Sequence, residues 1–426
     1  MHDRLGVDTL MRETAEPFTD RPRGPAVIFE MIGDGAPPIL RRRPELLYGL
    51  RNLIENATSF ARSKVLIKAH WTADKLDISI HDDGPGFSQE ILTRLGEPYL
   101  SQRHRSRTAV GQKSGLGLGF FDLAIVLEAS GQTLMPEPFV STLLLGAQAL
   151  LLGGTDAQRA RYLPGVADGS RLLALAYDER GMRGDLSRLR ASATREADGF
   201  TLRGVKPHAL DAHVADAIVV AARVEPGDAI GLFIVPRDAA GLAIEREQRM
   251  DLLNAATVRL DAVRVGEDAV VGPLETSEAL LSAVLDRARI GLSAQMLGAM
   301  ERAFEMTVAY LKERVQFGVP IGSFQALQHR AARLFIEIAL ARSSVLAAAR
   351  AVDDRPAEVP RLAALAKAKC GEAFWQVAAE AIQMHGGIGM TAEHDIGFYF
   401  KRAQAAEVMF GDGATQRRRW AEACGY

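Results

Sequence analysis

Asn52, Glu55 and Asn56 fall on nearly one face of a helix, because residues three and four apart lie above one another at the helical period. Their amide and carboxylate oxygens suit a hard cation carrying phosphate, with Asn56 the candidate metal contact. Further along stands Asp82-Asp83-Gly84-Pro85-Gly86-Phe87. Gly84 and Gly86 let the backbone pass close to a ligand, and the Asp82 carboxylate can accept from an exocyclic amino group such as that of adenine. Gly115, Gly117 and Gly119 make a third cluster, after a polar, basic loop from Ser101 to Ser114 suited to lie over phosphates. Each glycine taken singly reads as a turn. The three boxes in order are much more specific.

Together, over about residues 25 to 120, these boxes resemble the ATP-binding domain of sensor histidine kinases, and Gly96-Glu97-Pro98-Tyr99 resembles the box between the two glycine clusters. The resemblance implies an α/β sandwich that holds Mg-ATP through Asn52, Asn56, Asp82, Gly84, Gly86, Gly115, Gly117 and Gly119. Two departures limit it. His2 sits at the chain end with no phosphoacceptor helix around it, so autophosphorylation is not expected. The segment after Gly119 runs into Pro136-Glu137-Pro138 rather than a closing β-hairpin, so nucleotide binding is expected to be weak.

A second set of motifs lies in the C-terminal part. Arg314-Val315-Gln316-Phe317-Gly318-Val319-Pro320-Ile321-Gly322-Ser323-Phe324-Gln325 is similar to a signature of acyl-CoA dehydrogenases, and Gln383-Met384-His385-Gly386-Gly387-Ile388-Gly389-Met390 is similar to the family's second flavin-contacting loop. The likeness extends over about residues 115 to 424. It implies that Arg314, Gln316, Phe317, Gln325, Gln383, Gly386 and Gly387 clamp the ADP half of an FAD belonging to a neighbouring subunit. A planar guanidinium suits a diphosphate because its fork bonds two oxygens at once.

The family's catalytic base sits just before a Gly-Thr-like turn, and Phe410-Gly411-Asp412-Gly413-Ala414-Thr415-Gln416 puts Asp412 there. A carboxylate can take an α proton; the competing reading is that Asp412 only caps the helix from Gln416 to Ala423. The other base position used by relatives holds Ala288, which cannot act. The ring-holding segments depart most. Asp178-Glu179-Arg180-Gly181-Met182-Arg183-Gly184-Asp185 lacks the family's threonine and serine donors, and after Gly204-Val205-Lys206 come Pro207, His208, Ala209 and Leu210, with no ring-stacking aromatic. This pattern resembles the small subunit of pimeloyl-CoA-type and similar heteromeric members. It implies an acyl-CoA substrate, an electron-transfer flavoprotein as electron acceptor, and a homo- or hetero-oligomer in which another subunit seats the ring.

The elements that must position these residues change character along the chain. Strand-like runs at Ala26 to Met31, Val65 to His70 and Leu76 to His81, with a helical stretch from Glu45 to Arg62, predict an α/β layer. Short apolar runs between Asp-Gly and Pro-Gly turns, from about Arg190 to Gly272, predict an all-β segment. From Leu274 on, Ala- and Leu-rich stretches broken by Gly and Pro predict helices that make a four-helix bundle. The expected domains are 1–120 (ATPase-like), 121–170 (remnant of the family's N-terminal helical domain), 171–273 (β-barrel) and 274–426 (helical bundle). A formal net charge of -2 argues against nucleic acid as partner. The two cysteines, Cys370 and Cys424, match no metal spacing, and no apolar run is long enough to span a bilayer, so the expected location is the cytoplasm.

Overall fold

The computed structural model describes residues 4–19, 25–41, 50, 54, 57–58, 61–72, 75–84, 119–182 and 184–426. The chain divides into two compact units, Met1–Asp122 and Leu123–Tyr426.

In the first unit β1 (Arg4–Gly6) pairs with β3 (Ile39–Arg41), and β2 (Ala26–Gly33) runs parallel to β4 (Lys64–Trp71), which pairs antiparallel with β5 (Leu76–Asp82). The expected strand runs are all present. The order is β2-β4-β5, and among the described residues β5 pairs with β4 alone. Burial alternates along β4, so Val65, Ile67, Ala69 and Trp71 face one side. Against that face packs α1 (Val7–Thr19), through Val7, Leu10, Met11, Ala15 and Phe18. Those positions recur three and four apart, a helical signal that the reading of the N-terminus did not use. The expected helix at Glu45 to Arg62 falls almost wholly outside the described residues.

The second unit begins within α2 (Phe120–Gln132), followed by a π-helical stretch Phe139–Gly146, α3 (Ala147–Gly153) and α4 (Asp156–Ala167). Thr155 and Gln158 form a capping box at the start of α4. Seven strands then build one curled sheet: β6 (Leu173–Ala176), β7 (Ser192–Glu196), β8 (Gly199–Leu210), β9 (Ala217–Glu225), β10 (Ile230–Pro236), β11 (Leu242–Glu247) and β12 (Ala255–Gly266). The order is β10-β9-β7-β8-β12-β11, with β6 beside β9. The long pair β8 and β12 slips register twice, and Ala262 at the second slip takes φ +55°, which bends the sheet. Its inner face is apolar, with Phe200 and Phe233 in ring contact at 5.0 Å.

Helices occupy the rest: α5 (Ser277–Glu313), α6 (Gln325–Asp354), α7 (Val359–His385), α8 (Ile396–Val408) and α9 (Gly413–Ala423). A small hairpin, β13 (Val315–Gln316) with β14 (Val319–Pro320), joins α5 to α6. The long helix α7 packs against each of the other four. Backbone meets backbone where α2 crosses α5. A Cβ on Gly131 would lie 2.0 Å from the Gln295 carbonyl oxygen, and one on Gly298 would lie 1.8 Å from that of Glu128. Only glycine permits that approach.

Candidate functional site

The two C-terminal motifs lie at neighbouring helix ends. Arg314 caps α5, with its N–H donating to Tyr310 O at 2.9 Å, while its side chain is exposed and makes no hydrogen bond among the described residues. Gln316 and Phe317 project from the β13–β14 hairpin, Phe317 at φ +55° and 92% exposed. Gln325 opens α6, also exposed. Gln383 is exposed near the end of α7, where Gly386 takes φ +65°, and a Cβ on Gly386 or Gly387 would meet nothing within 4 Å. The two segments are tied together behind this surface by Tyr310 and His385, whose ring centroids are 4.7 Å apart. An unengaged guanidinium, exposed amides and open glycine backbone form a cradle of donors, which fits the ADP half of a flavin dinucleotide.

The ring side is built differently. Lys206 is fully buried, and its ammonium donates to Glu179 Oε1 at 2.7 Å and to Tyr177 O at 3.3 Å. Glu179 also accepts from the N–H groups of Arg190 and Ala191, both at 2.8 Å. Burial raises the Glu179 carboxyl, but the Lys206 bond and charge and the two N–H groups more than offset it and hold it below its ordinary value. Burial lowers Lys206 from its ordinary value, opposed by Glu179. His208 is turned to Glu247, Nδ1 to Oε2 at 2.6 Å. Asp178 is half-buried, and burial raises its carboxyl. Lys206 and Glu179 thus satisfy each other, and the Asp178 to Asp185 segment has no hydroxyl donor to offer, so this side does not fit an isoalloxazine ring as the ADP side fits its half.

Asp412 is exposed at the N-terminus of α9, and its Oδ1 accepts from Thr415 N at 2.8 Å. The helix thus starts three residues earlier than the sequence reading placed it. The turn before it is strained, Phe410 at φ +58° and Gly411 at φ +97°, and is held by buried donors from three helices. Arg289 Nε donates to Phe410 O at 3.0 Å, Gln416 Nε2 to the same oxygen at 2.8 Å, and Lys367 Nζ to Glu407 O at 2.9 Å and Gly411 O at 3.2 Å. Sequence reasoning quoted Lys206 and His385 only as members of their motifs, without these contacts, and passed over Lys367. Lys367 carries a readable signal, a lone cation on the apolar face of α7 beside Ala363, Ala366 and Cys370.

In the first unit Asp82 is exposed, and its Oδ1 accepts from Gly84 N at 2.8 Å. Its neighbour Asp83 accepts from the N–H groups of Arg62, Ser63 and Lys64 and from the Ser63 hydroxyl, which keeps it far below the usual carboxylate range. Gly119 N donates to Asp122 Oδ2 at 2.7 Å. Asn52, Asn56, Gly86, Gly115, Gly117 and the Gly96 to Tyr99 box lie outside the described residues.

Comparison with known proteins places both halves. The acyl-CoA dehydrogenase C-terminal domain family matches residues 278–425 and its N-terminal domain family residues 107–170. The acyl-CoA dehydrogenase IpdE2 of Mycolicibacterium smegmatis is 32% identical over 306 residues, 72% of this chain and 79% of that protein. The chain belongs to the acyl-CoA dehydrogenase family. It is an acyl-CoA dehydrogenase-like flavoprotein subunit, and the alternative that the first motifs offer, an ATP-binding module of the sensor histidine kinase type without its phosphoacceptor histidine, is not favoured. Among solved structures, a chain of the ChsE4-ChsE5 complex from Mycobacterium tuberculosis is similar with TM-score 0.66 and 28% identity, covering 73% of this chain and 82% of that one. A chain of the electron transferring flavoprotein structure from Acidaminococcus fermentans is similar with TM-score 0.69 and 27% identity, covering 73% and 83%. The histidine kinase-, DNA gyrase B- and HSP90-like ATPase family matches residues 42–135, so an ATPase-like segment is fused in front. The two families overlap over 107–135, around the Gly115 to Gly119 run that the sequence reading assigned to both. Among the described residues no helix is long and apolar enough to cross a membrane.

The buried pair yields a direct expectation. Lys206→Met leaves Glu179 without its cation, and removing one partner of a buried ion pair costs about 3–5 kcal/mol. Urea unfolding of the variant should show a loss of that order; a change below about 1 kcal/mol would mean that the pair does not hold the Asp178 to Arg190 loop.

Proposed function

We propose that this chain is the ADP-clamping member of a shared flavin site in a dehydrogenase oligomer that carries out α,β-oxidation of an acyl-CoA thioester. The observation that carries this is the asymmetry between an exposed cradle at Arg314, Gln316, Gln325, Gly386 and Gly387, whose guanidinium makes no hydrogen bond among the described residues, and a ring segment where Lys206 and Glu179 bond each other. A partner subunit with an intact ring seat completes the site. FAD, when bound there, supplies the two-electron acceptor. Names among the similar structures support partners of both kinds, a heteromeric dehydrogenase complex and an electron transferring flavoprotein. On this reading residues 121–170 are what remains of the N-terminal helical domain, 171–273 the β-barrel and 274–426 the four-helix bundle with its appended helix, and the enzyme works in the cytoplasm.

The test is flavin stoichiometry. The homomer should purify largely colourless, and a mixed oligomer should carry one FAD per pair of unlike chains; one firmly bound FAD per chain in the homomer defeats the proposal. Arg314→Ala removes a charged phosphate contact and should cost the mixed oligomer about 1.5–3 kcal/mol in FAD affinity.

We assign Asp412 as the base that takes the α proton of the acyl thioester onto its carboxylate. Asp412→Asn should then lower turnover by roughly two to four orders of magnitude with flavin still bound. Unchanged turnover would move the base to the partner chain.

For residues 1–120 we propose Mg-ATP binding that is weak at best, because β5 pairs with β4 alone among the described residues. Titration with a fluorescent ATP analogue checks this. Tight, magnesium-dependent binding that is lost in Asp82→Asn would overturn it.

A further inference from the structure

Three rings stand behind the donor cradle. Tyr310, near the end of α5, lies 4.7 Å from His385, and His385 lies 4.3 Å from His394, centroid to centroid. Tyr310 is one helical turn before Arg314 and accepts that residue's N–H, while His385 immediately precedes Gly386. The stack therefore joins the two segments of the clamp. Its fit is close: a Cβ on Gly389 would lie 2.9 Å from His385 Cβ.

Hydrogen bonding fixes the proton on each ring. His385 Nδ1 lies 2.7 Å from the Ala381 carbonyl oxygen, which only accepts, so Nδ1 carries the hydrogen. The neutral ring then leaves Nε2 as an acceptor, and that atom is buried without a hydrogen-bond partner in a side chain only 2% exposed. His394 Nδ1 accepts from Ile396 N at 3.2 Å, so its hydrogen is on Nε2. A further proton on His385 would sit at a buried atom with no acceptor, beside the second imidazole. One on His394 would set two donors facing each other. The titratable groups facing His385 are Tyr310 from α5 and His394 from the next turn. Glu393 and Asp395 flank His394, but they are exposed and bonded to neither ring.

We infer that His385 is a positioning residue that keys the Gly386–Met390 turn to the end of α5, and that the ADP clamp is assembled only while His385 is uncharged. The inference rests on the half-site reading for its ligand. Burial and, last among the causes, the neighbouring His394 charge lower the His385 pKa, while its bond to Ala381 O opposes them. The sign follows: an opened turn with an ordinary histidine binds protons more readily than the closed one. The closed clamp is therefore unpenalised above about pH 6.5 and loses up to about tenfold in occupancy per pH unit below it for one proton.

The experiment titrates the full-length chain with FAD by flavin fluorescence from pH 8 to pH 5. In parallel it follows hydrogen exchange at residues 310–320 and 381–396, corrected for the intrinsic rate. Wild type should lose FAD affinity by up to tenfold per unit below about pH 6.5, with exchange rising in both segments together. His385→Phe keeps a ring in the stack without a titrating nitrogen and should bind FAD with a flat profile. His385→Tyr serves the same purpose if the first variant fails to fold. The same acid dependence in the folded variants as in wild type, or exchange rising in one segment alone, overturns the inference. One firmly bound FAD per chain, with exchange still coupled and histidine-dependent, would sink the half-site reading and leave the positioning role standing.

Discussion

The C-terminal end of this chain hangs on one buried ammonium. Lys367 lies in the middle of α7 with no exposed surface, and it spends its charge on two backbone carbonyls, Glu407 O and Gly411 O. Burial pushes it down to about 8, with Glu407 acting against that. The Glu407 carboxylate in turn accepts from Gly413 N at 2.9 Å, and room for it exists because position 371 is a glycine, where a Cβ would stand 1.9 Å from Oε2. A glycine inside a helix costs about 1 kcal/mol relative to alanine. Here it admits the group that turns the chain from α8 into α9. Arg289, bonded to Asp286 and to Phe410 O, supports the same turn from α5, and Arg419 closes on Asp286 at 3.0 Å. The conformation of Phe410 and Gly411, which aims Asp412, is the product of these contacts.

The contrast between the two halves of the proposed flavin site follows from where each puts its polar groups. The Arg314 guanidinium is exposed and makes no hydrogen bond among the described residues, while Gly386 offers open backbone, its own N–H bonded to Gln383 O. At Lys206 and Glu179 they are buried and mutually satisfied. A buried pair of that kind fixes a loop in one conformation, because either partner alone would carry an uncompensated charge. An exposed arginine with no partner fixes nothing in its own subunit and suits a ligand that arrives from outside.

Much of this was legible in the residue order because it is local. Alternating burial in Val65 to His70 and the continuous apolar run Ile230 to Val235 both go with strands, and the glycines after His385 read as a helix end. The site motifs were legible for a related reason, since Arg314, Gln316 and Gln325 sit close together in sequence around one short hairpin. What the residue order hid are contacts across long separations. Nothing near Lys206 announces that Glu179 neutralises it, and the lost hydroxyl donors around Asp178 read as a missing ligand contact, whereas Glu179 beside it has taken up a structural bond. Nor does the spacing of Tyr310, His385 and His394 reveal a stack, because it forms only when the ends of α5 and α7 meet. The capping role of Asp412 was foreseen, but the start of α9 was set three residues late because Gly413 and Ala414 gave no hint of helix.

The backbone crossing of α2 and α5 does not stand alone. Four anchors of α2 in the second unit lie near its end: Gly131 under Gln295, Glu128 on Arg342 at 2.8 Å, Ser130 receiving Gln295 Nε2, and Gln132 O receiving the Tyr399 hydroxyl at 2.7 Å. Those four grips involve only the last turns of the helix, from Glu128 to Gln132, so the end of α2 is pinned like a bolt by residues of α5, α6 and α8.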